Sequence, residues 1–465
     1  MRLVWSAIAL VIACGSKSEE PAGPLRMISD AEIAASKAAL MKRLDANKLR
    51  RCERPVLRGT PISGSGAADI ASFQQPDGNF GKCLTALAEL SGKKEDLTKP
   101  GPAVVELDGR CGIELEGVIR KAAQHADGCS PFQTGVRTPR SSYLPYLLSA
   151  RLMAMRARIR ADGPTKDVDG ALWLILDSIR MYQDLARGHT SLLVGMVAAA
   201  ATDALLDEAQ LILTNTTPAG VAELASAVDA LIASTPPISE MFSGEGEHMS
   251  LQFGLPPLQP AGWTPPGGWP DDKRPTANAA KANAFGAPED GKAIMLVVAE
   301  ATTKAFETAC PSGASFKTCH AGLVRVGREG EARARGNDDI KRVYDGLVAK
   351  AKAGDETART QIRDTIVDIL AGLGSASFPR YADKPTMVLV RLVGMRMHLE
   401  VLRAKQCPAA AALAAPPYAA LRAPALLGDA VVVAVGSNAI EVKPPAWLKL
   451  EAKPGKTPWV IPCKP

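Results

Sequence analysis

Between Gly244 and Met249 the chain reads GEGEHM, which places Glu245, Glu247 and His248 close together. Two carboxylates beside an imidazole are residue types that ligate a divalent metal or pass a proton between acid and base. The H-E-x-x-H spacing of zinc hydrolases is absent, however. The other histidines, His125, His189, His320 and His398, stand alone in sequence. The stretch is therefore expected to be a polar loop between a helix and a proline-rich junction, and an acid–base or ligand site there is the rival reading. A second motif, GAPEDGKA at 286–293, satisfies G-x-x-x-x-G-K. A phosphate-binding loop needs backbone N–H groups wrapped around anions and a hydroxyl after the lysine to hold magnesium. Ala293 replaces that hydroxyl, Glu289 and Asp290 put negative charge where phosphates would sit, and Pro288 lacks an N–H donor. Acids at a helix N-terminus, favoured by its dipole, account for this stretch better. No G-x-S-x-G elbow occurs. No residue set is assigned as catalytic, cofactor-binding or metal-binding.

Cysteine chemistry is more informative. The chain of 465 residues has nine cysteines. Arg2 and an apolar run from Leu3 to Ala13 form a charged n-region and short h-region. That run is far below the roughly 20 residues that span a bilayer. It ends in Val11-Ile12-Ala13-Cys14, followed by the polar stretch GSKSEEP. This end resembles the lipobox of bacterial lipoproteins. The resemblance implies that residues 1–13 are a signal peptide and that Cys14 carries a diacylglyceryl group. Residues 14–28 are then a tether. Gly15 in place of Asp, by resemblance to the sorting rule of that family, points to the outer membrane, facing the periplasm.

Eight cysteines remain: Cys52, Cys83, Cys111, Cys129, Cys310, Cys319, Cys407 and Cys463. An even number in an exported chain suggests disulfides. No CxxC pair is present, so thioredoxin-like and zinc-ribbon readings lack their spacing. Cys310 and Cys319 enclose a short loop between two helical segments and are expected to pair. Cys83 opens one helical segment and Cys129 closes the next, so antiparallel packing would join them. Cys52–Cys111 and Cys407–Cys463 follow by elimination. His320 stands beside Cys319, which a disulfide would prevent from acting as a thiolate ligand.

These residues sit on a chain expected to be mainly α, built of antiparallel helical hairpins or a bundle, with a small C-terminal β-hairpin. A cysteine-bearing helical region at 29–135 is expected to open with a helix capped by Asp30, and residues 53–79, rich in Gly, Pro and Ser, read as loop. The helical-hairpin domain, 141–253, has the clearest periodicity. Leu144, Leu148, Leu152, Met155 and Ile159 form one buried face, and Val168, Leu172, Ile175, Ile179, Tyr182 and Ala186 another. Arg151, Arg156, Arg158 and Arg160 look like a basic patch in linear sequence. On a helix they split into pairs flanking the apolar stripe and are expected to snorkel to solvent. Gly188 ends the second helix, and Thr190 or Ser191 can cap a third, which is apolar enough to be central. The stretch RARIRADGPTKDVDGALWLILDSI resembles a tetratricopeptide-type helix hairpin, which implies hairpin stacking. A proline-rich junction spans 254–291, a second helical region 292–406, and a C-terminal segment 407–465, where VVVAV and IEV read as a hairpin. Trp447 and Trp459 are expected to close over that sheet.

Net charge is +6, spread along the chain, which gives no indication of nucleic-acid binding. The whole resembles uncharacterised helical envelope lipoproteins. The expectation is a lipid-anchored scaffold or protein-binding module with a membrane contact through the lipid and an envelope protein partner. An enzyme or small-ligand receptor using Glu245, Glu247 and His248 is the alternative.

Overall fold

A computed structural model of the chain describes residues 29–48, 52–72, 79–92, 101–130, 144–188, 190–242, 244–245, 288–336, 346–347, 349–351, 353–375, 378–448 and 459–463. Cys14, Glu247, His248, His189, the signal and tether segments and the proline-rich stretch 254–275 lie outside the described residues.

The molecule is mainly α-helical with a small C-terminal antiparallel sheet. Helix α1 (Asp30–Lys48) opens with a capping box. The Ser29 hydroxyl accepts from Glu32 N at 3.2 Å, and the Glu32 carboxylate accepts from Ser29 N at 2.9 Å. Ser29, rather than Asp30, is therefore the cap, and the S-x-x-E spacing carried that signal. The expected loop at 53–79 contains two elements: strand β1 (Ile62–Ser65) and helix α2 (Ala67–Ala71). After α3 (Asn79–Gly92), α4 (Pro102–Leu107) runs through a π-helical turn, Asp108–Gly112, into α5 (Ile113–Gln124). Strand β2 (His125–Asp127) then pairs in parallel with β1.

The hairpin block follows the sequence periodicity closely. Helices α6 (Leu144–Asp162) and α7 (Val168–Leu185) pack side by side across the turn 163–167, with Asp167 capping α7 by accepting from Gly170 N at 2.9 Å. Helix α8 (Leu192–Asn215), capped by Ser191, packs on both. Gly188 adopts φ +90°, a left-handed backbone suited to glycine, where α7 gives way to α8. Helices α9 (Val221–Ala233) and α10 (Ile238–Phe242) complete this block.

In the second half, α11 (Pro288–Ala309), α12 (Phe316–Gly336) and α13 (Glu356–Ser375) pack together. Helix α14 (Phe378–Ala404) joins the halves, touching α8, α9 and α12. It lies within the expected second helical region, with Pro385 inside it. Buried Phe378 and Ala382 supply packing that offsets the backbone bond proline cannot make. A short helix, α15 (Tyr418–Arg422), precedes a sheet of three strands, β3 (Val432–Val435), β4 (Ala439–Lys443) and β5 (Trp459–Pro462), in that order. The expected hairpin is β3–β4. Trp459 does not close over the sheet but belongs to its third strand, seated in a notch of α14 where a Cβ on Gly394 would lie 2.4 Å from the Trp459 Cβ. One contiguous apolar core runs from Ile70 to Ile461.

Four disulfides staple this body: Cys52–Cys129, Cys83–Cys111, Cys310–Cys319 and Cys407–Cys463. The last two match expectation, whereas Cys83–Cys129 and Cys52–Cys111 do not form. Cys111 lies in the π-helical turn before α5, beside α3, while Cys129 lies past β2. Strand β2 carries Cys129 towards Cys52, through an antiparallel bridge between Glu53 and Asp127.

Candidate functional site

Among the described residues, the sequence-derived motifs are seen in part, and the parts that are seen serve helix ends and packing. Glu245 Oε2 accepts from Leu192 N at 2.7 Å, so its carboxylate serves the first turn of α8. That is a helix-end role, and its expected companions, Glu247 and His248, lie outside the described residues. In GAPEDGKA, Pro288 to Gly291 already form the first turn of α11, where a phosphate-binding loop would need non-helical backbone. His320 Nε2 lies 3.1 Å from Asp383 Oδ1, against the Trp447 ring at 5.2 Å, and Cys319 is disulfide-bonded. His398 is buried on α14, edge-on to Trp459 at 6.4 Å, and burial pushes its pKa down to about 4.

The arginines of α6 do not snorkel as a group. Arg156 bridges Asp108 at 2.8 Å and Glu116 at 2.9 Å, Arg160 also holds Glu116 at 2.9 Å, and Arg158 grips Glu208 at 2.5 Å. Only Arg151 of the four is exposed. Burial raises the Asp108 pKa against the pull of Arg156. Burial would raise Glu116 as well, but Arg156 and Arg160 outweigh it and hold that carboxyl below its usual range. The π-helical turn makes this possible: Asp108 folds under Gly112, where a Cβ would meet its Oδ1 at 2.1 Å.

A polar seam that sequence periodicity did not reveal runs along α7 and just past its C-terminus. Asp177, Arg180, Asp184 and Arg187 recur at helical spacing, and all are buried. Arg180 donates to Ser234 Oγ at 2.5 Å, and Gln183 Nε2 donates to Leu231 O at 3.0 Å. Arg187 also donates to Ser234 O. Together they satisfy carbonyls at the C-terminal end of α9, where cations suit the helix dipole. Burial lowers the Arg180 pKa to about 9, with Asp184 opposing the shift. On the other side of the seam, Arg54 Nε donates to Asp184 Oδ1 at 3.1 Å. Its Nη1 and Nη2 donate to Ala123 O at 3.0 Å, to His125 O and to Ala122 O at 3.2 Å, capping α5. Gly128 passes over this pair so closely that a Cβ there would lie 2.3 Å from Asp184 Oδ1.

Above Arg54 a cleft of about 700 Å³ opens to solvent. It is lined by Glu53, Arg54, residues 62–65, Ala126 and Asp127. Its walls are fixed by backbone bonds: Arg54 N donates to Ala126 O at 2.9 Å, and Gly66 N to Asp127 O at 3.0 Å. The Cys52–Cys129 disulfide ties one wall to the floor, and Asp127 Oδ1 accepts from Cys52 N at 3.0 Å. Cys52, Asp127 and Cys129 form a cluster of metal-ligating residue types, but the two sulfurs are bonded to each other and provide no thiolate. His125, the first residue of β2, bonds Asp69 at 2.9 Å, which also holds Lys121 at 2.7 Å. Among the described residues this cleft is a concave candidate site, of a size typical of ligand pockets.

Compared with known proteins, the chain matches no family model, no curated protein and no solved structure.

Proposed function

We propose that this chain is a lipid-anchored protein of the cell envelope, attached through Cys14, whose disulfide-stapled helical body is a scaffold that binds another envelope protein. The carrying observation is the cysteine arithmetic. Eight described cysteines pair with one another, and the ninth in the sequence is Cys14, at the end of the short apolar run. Four disulfides fit an oxidising compartment such as the periplasm. No helix among the described residues is long and apolar enough to cross a membrane, so a lipid is the anchor this reading requires. One acyl chain binds membranes only marginally, whereas a diacylglyceryl cysteine meets the two-signal requirement. A binding role rather than catalysis is favoured because the large charged clusters on α6 and α7 are engaged in ion pairs and helix ends. Outer-membrane placement facing the periplasm follows from Gly15 on the same reading.

Metabolic labelling with a fatty-acid analogue tests the anchor. Wild-type protein is expected to take up label and enter the detergent phase, and Cys14→Ser to lose both while retaining its helical circular dichroism. An unlabelled, soluble wild-type chain would overturn the anchor. Crosslinking in envelopes followed by pull-down should recover a reproducible protein partner, and repeated recovery of none would overturn the scaffold role.

A further inference from the structure

We infer that the cleft beside the Cys52–Cys129 disulfide is a docking groove for an extended basic peptide segment of a partner protein, with Glu53 and Asp127 receiving its ammonium or guanidinium groups. This rests on the scaffold reading and names the chemistry of the partner.

Charge carries the argument. Most acids packed around this region meet a cation within the chain: Asp184 meets Arg54, Asp177 meets Arg58, Glu116 meets Arg120, Arg156 and Arg160, and Asp69 meets Lys121. Glu53 is different. It is exposed at the cleft and has no hydrogen-bond or ion-pair partner among the described residues. Among the described residues, Asp127 takes one backbone N–H, from Cys52, and meets no cation. Arg54 lines the same cleft, but its guanidinium is engaged by Asp184 and three carbonyls, so among the described residues no cation of the lining faces the two carboxylates.

The lining selects among cations. A divalent ion of the calcium type takes six to eight oxygen ligands, more than Glu53 and Asp127 supply. The three-residue cluster of ligating types contains Asp127 but not Glu53, and its sulfurs are joined. Ile62 and Ala126 instead add apolar lining to a cleft that also holds Ser63 and Ser65. That combination suits lysine or arginine, whose aliphatic stem packs while the charged head is solvated or paired.

Shape favours a chain over a small cation. The wall Ile62–Ser65 is strand, rising about 3.3 Å per residue, so it presents a length of about 13 Å. Gly64 stands at φ +87° with nothing within 4 Å of a Cβ position, which leaves its backbone open to approach. The disulfide and the ladder bonds hold both walls in place before binding, which reduces the ordering cost of association.

Fluorescence anisotropy with the full chain in detergent and a labelled Gly-Lys-Gly-Arg-Gly-Lys peptide tests this. Binding is expected at low ionic strength, weakening as salt rises, with a peptide carrying serine at the basic positions failing to bind. Glu53→Lys and Ser63→Arg, both at exposed positions, are each expected to weaken binding at least tenfold with the melting curve unchanged. Equal binding by wild type and Glu53→Lys would overturn the groove assignment, as would equal binding of the neutral peptide. Competition by spermidine as effective as by unlabelled peptide would overturn a peptide occupant. If crosslinked envelopes yield the same protein partner from wild type and Glu53→Lys, the scaffold reading stands and the groove assignment fails.

Discussion

Arg54 and Asp184, 130 residues apart in sequence, form a fully buried ion pair, with Arg54 Nε 3.1 Å from Asp184 Oδ1. The pair joins the disulfide-stapled N-terminal region to the second helix of the hairpin block, and the same guanidinium closes the C-terminus of α5. Two charges this deep persist only because each is surrounded by partners, Arg187 among them at 3.5 Å from Asp184.

Removing one member leaves the other buried and uncompensated. Asp184→Ala is expected to lower the unfolding free energy by about 3–5 kcal/mol. Arg54→Met should fall in the same direction, and the double variant should lose less than the sum of the two. Urea denaturation of the four proteins measures the cycle. Strict additivity would show that the two residues are not coupled.

Peptide mapping without reduction is expected to yield Cys52 joined to Cys129 and Cys83 joined to Cys111. A Cys83–Cys129 crosslink in the native protein would contradict the fold of the N-terminal region. Replacing each pair by serine opens loops of 77 and 28 residues. In the chain-entropy model those losses cost about 4.5 and about 3.5 kcal/mol respectively.

His398 makes stability depend on pH. Burial holds its pKa at about 4 in the folded protein, against about 6.5 in an unfolded chain. Above pH 6.5 both states are neutral at this site and it contributes no slope. As pH falls from about 6.5 towards 4 the unfolded state binds the extra proton, so stability declines, in total by about 3 kcal/mol. Chemical denaturation at pH 7.0, 5.5 and 4.5 should show this decline in wild type and a smaller one in His398→Leu. Identical slopes would remove His398 as the cause.

How much of this was legible in the sequence follows from the range over which each interaction acts. The apolar stripes of α6 and α7 are local, repeating within a few turns, and the observed helices match them. The Cys310–Cys319 pair spans nine residues and was legible for the same reason. The capping box at Ser29 and Glu32 was equally local, and a preference for Asp30 obscured it.

The N-terminal disulfides were not legible, because their pairing depends on where a π-helical turn places Cys111 and where β2 delivers Cys129. The arginines of α6 were expected in solvent because periodicity gives a side chain's angle around its own helix, not the charge on the element facing it. Tertiary packing set Asp108, Glu116 and Glu208 opposite them. The Asp177–Arg187 seam was masked because charged residues on a helix ordinarily mark its wet face; packing α9 and α5 against α7 turned that face into a capping surface. Sequence alone determined the helical class, the main hairpin block and the β3–β4 hairpin, since these rest on side-chain periodicity and local turn chemistry. Tertiary structure alone decided the cysteine partners, the burial of Arg54 with Asp184, and the cleft above them, since each requires groups far apart in the chain to share one low-dielectric space.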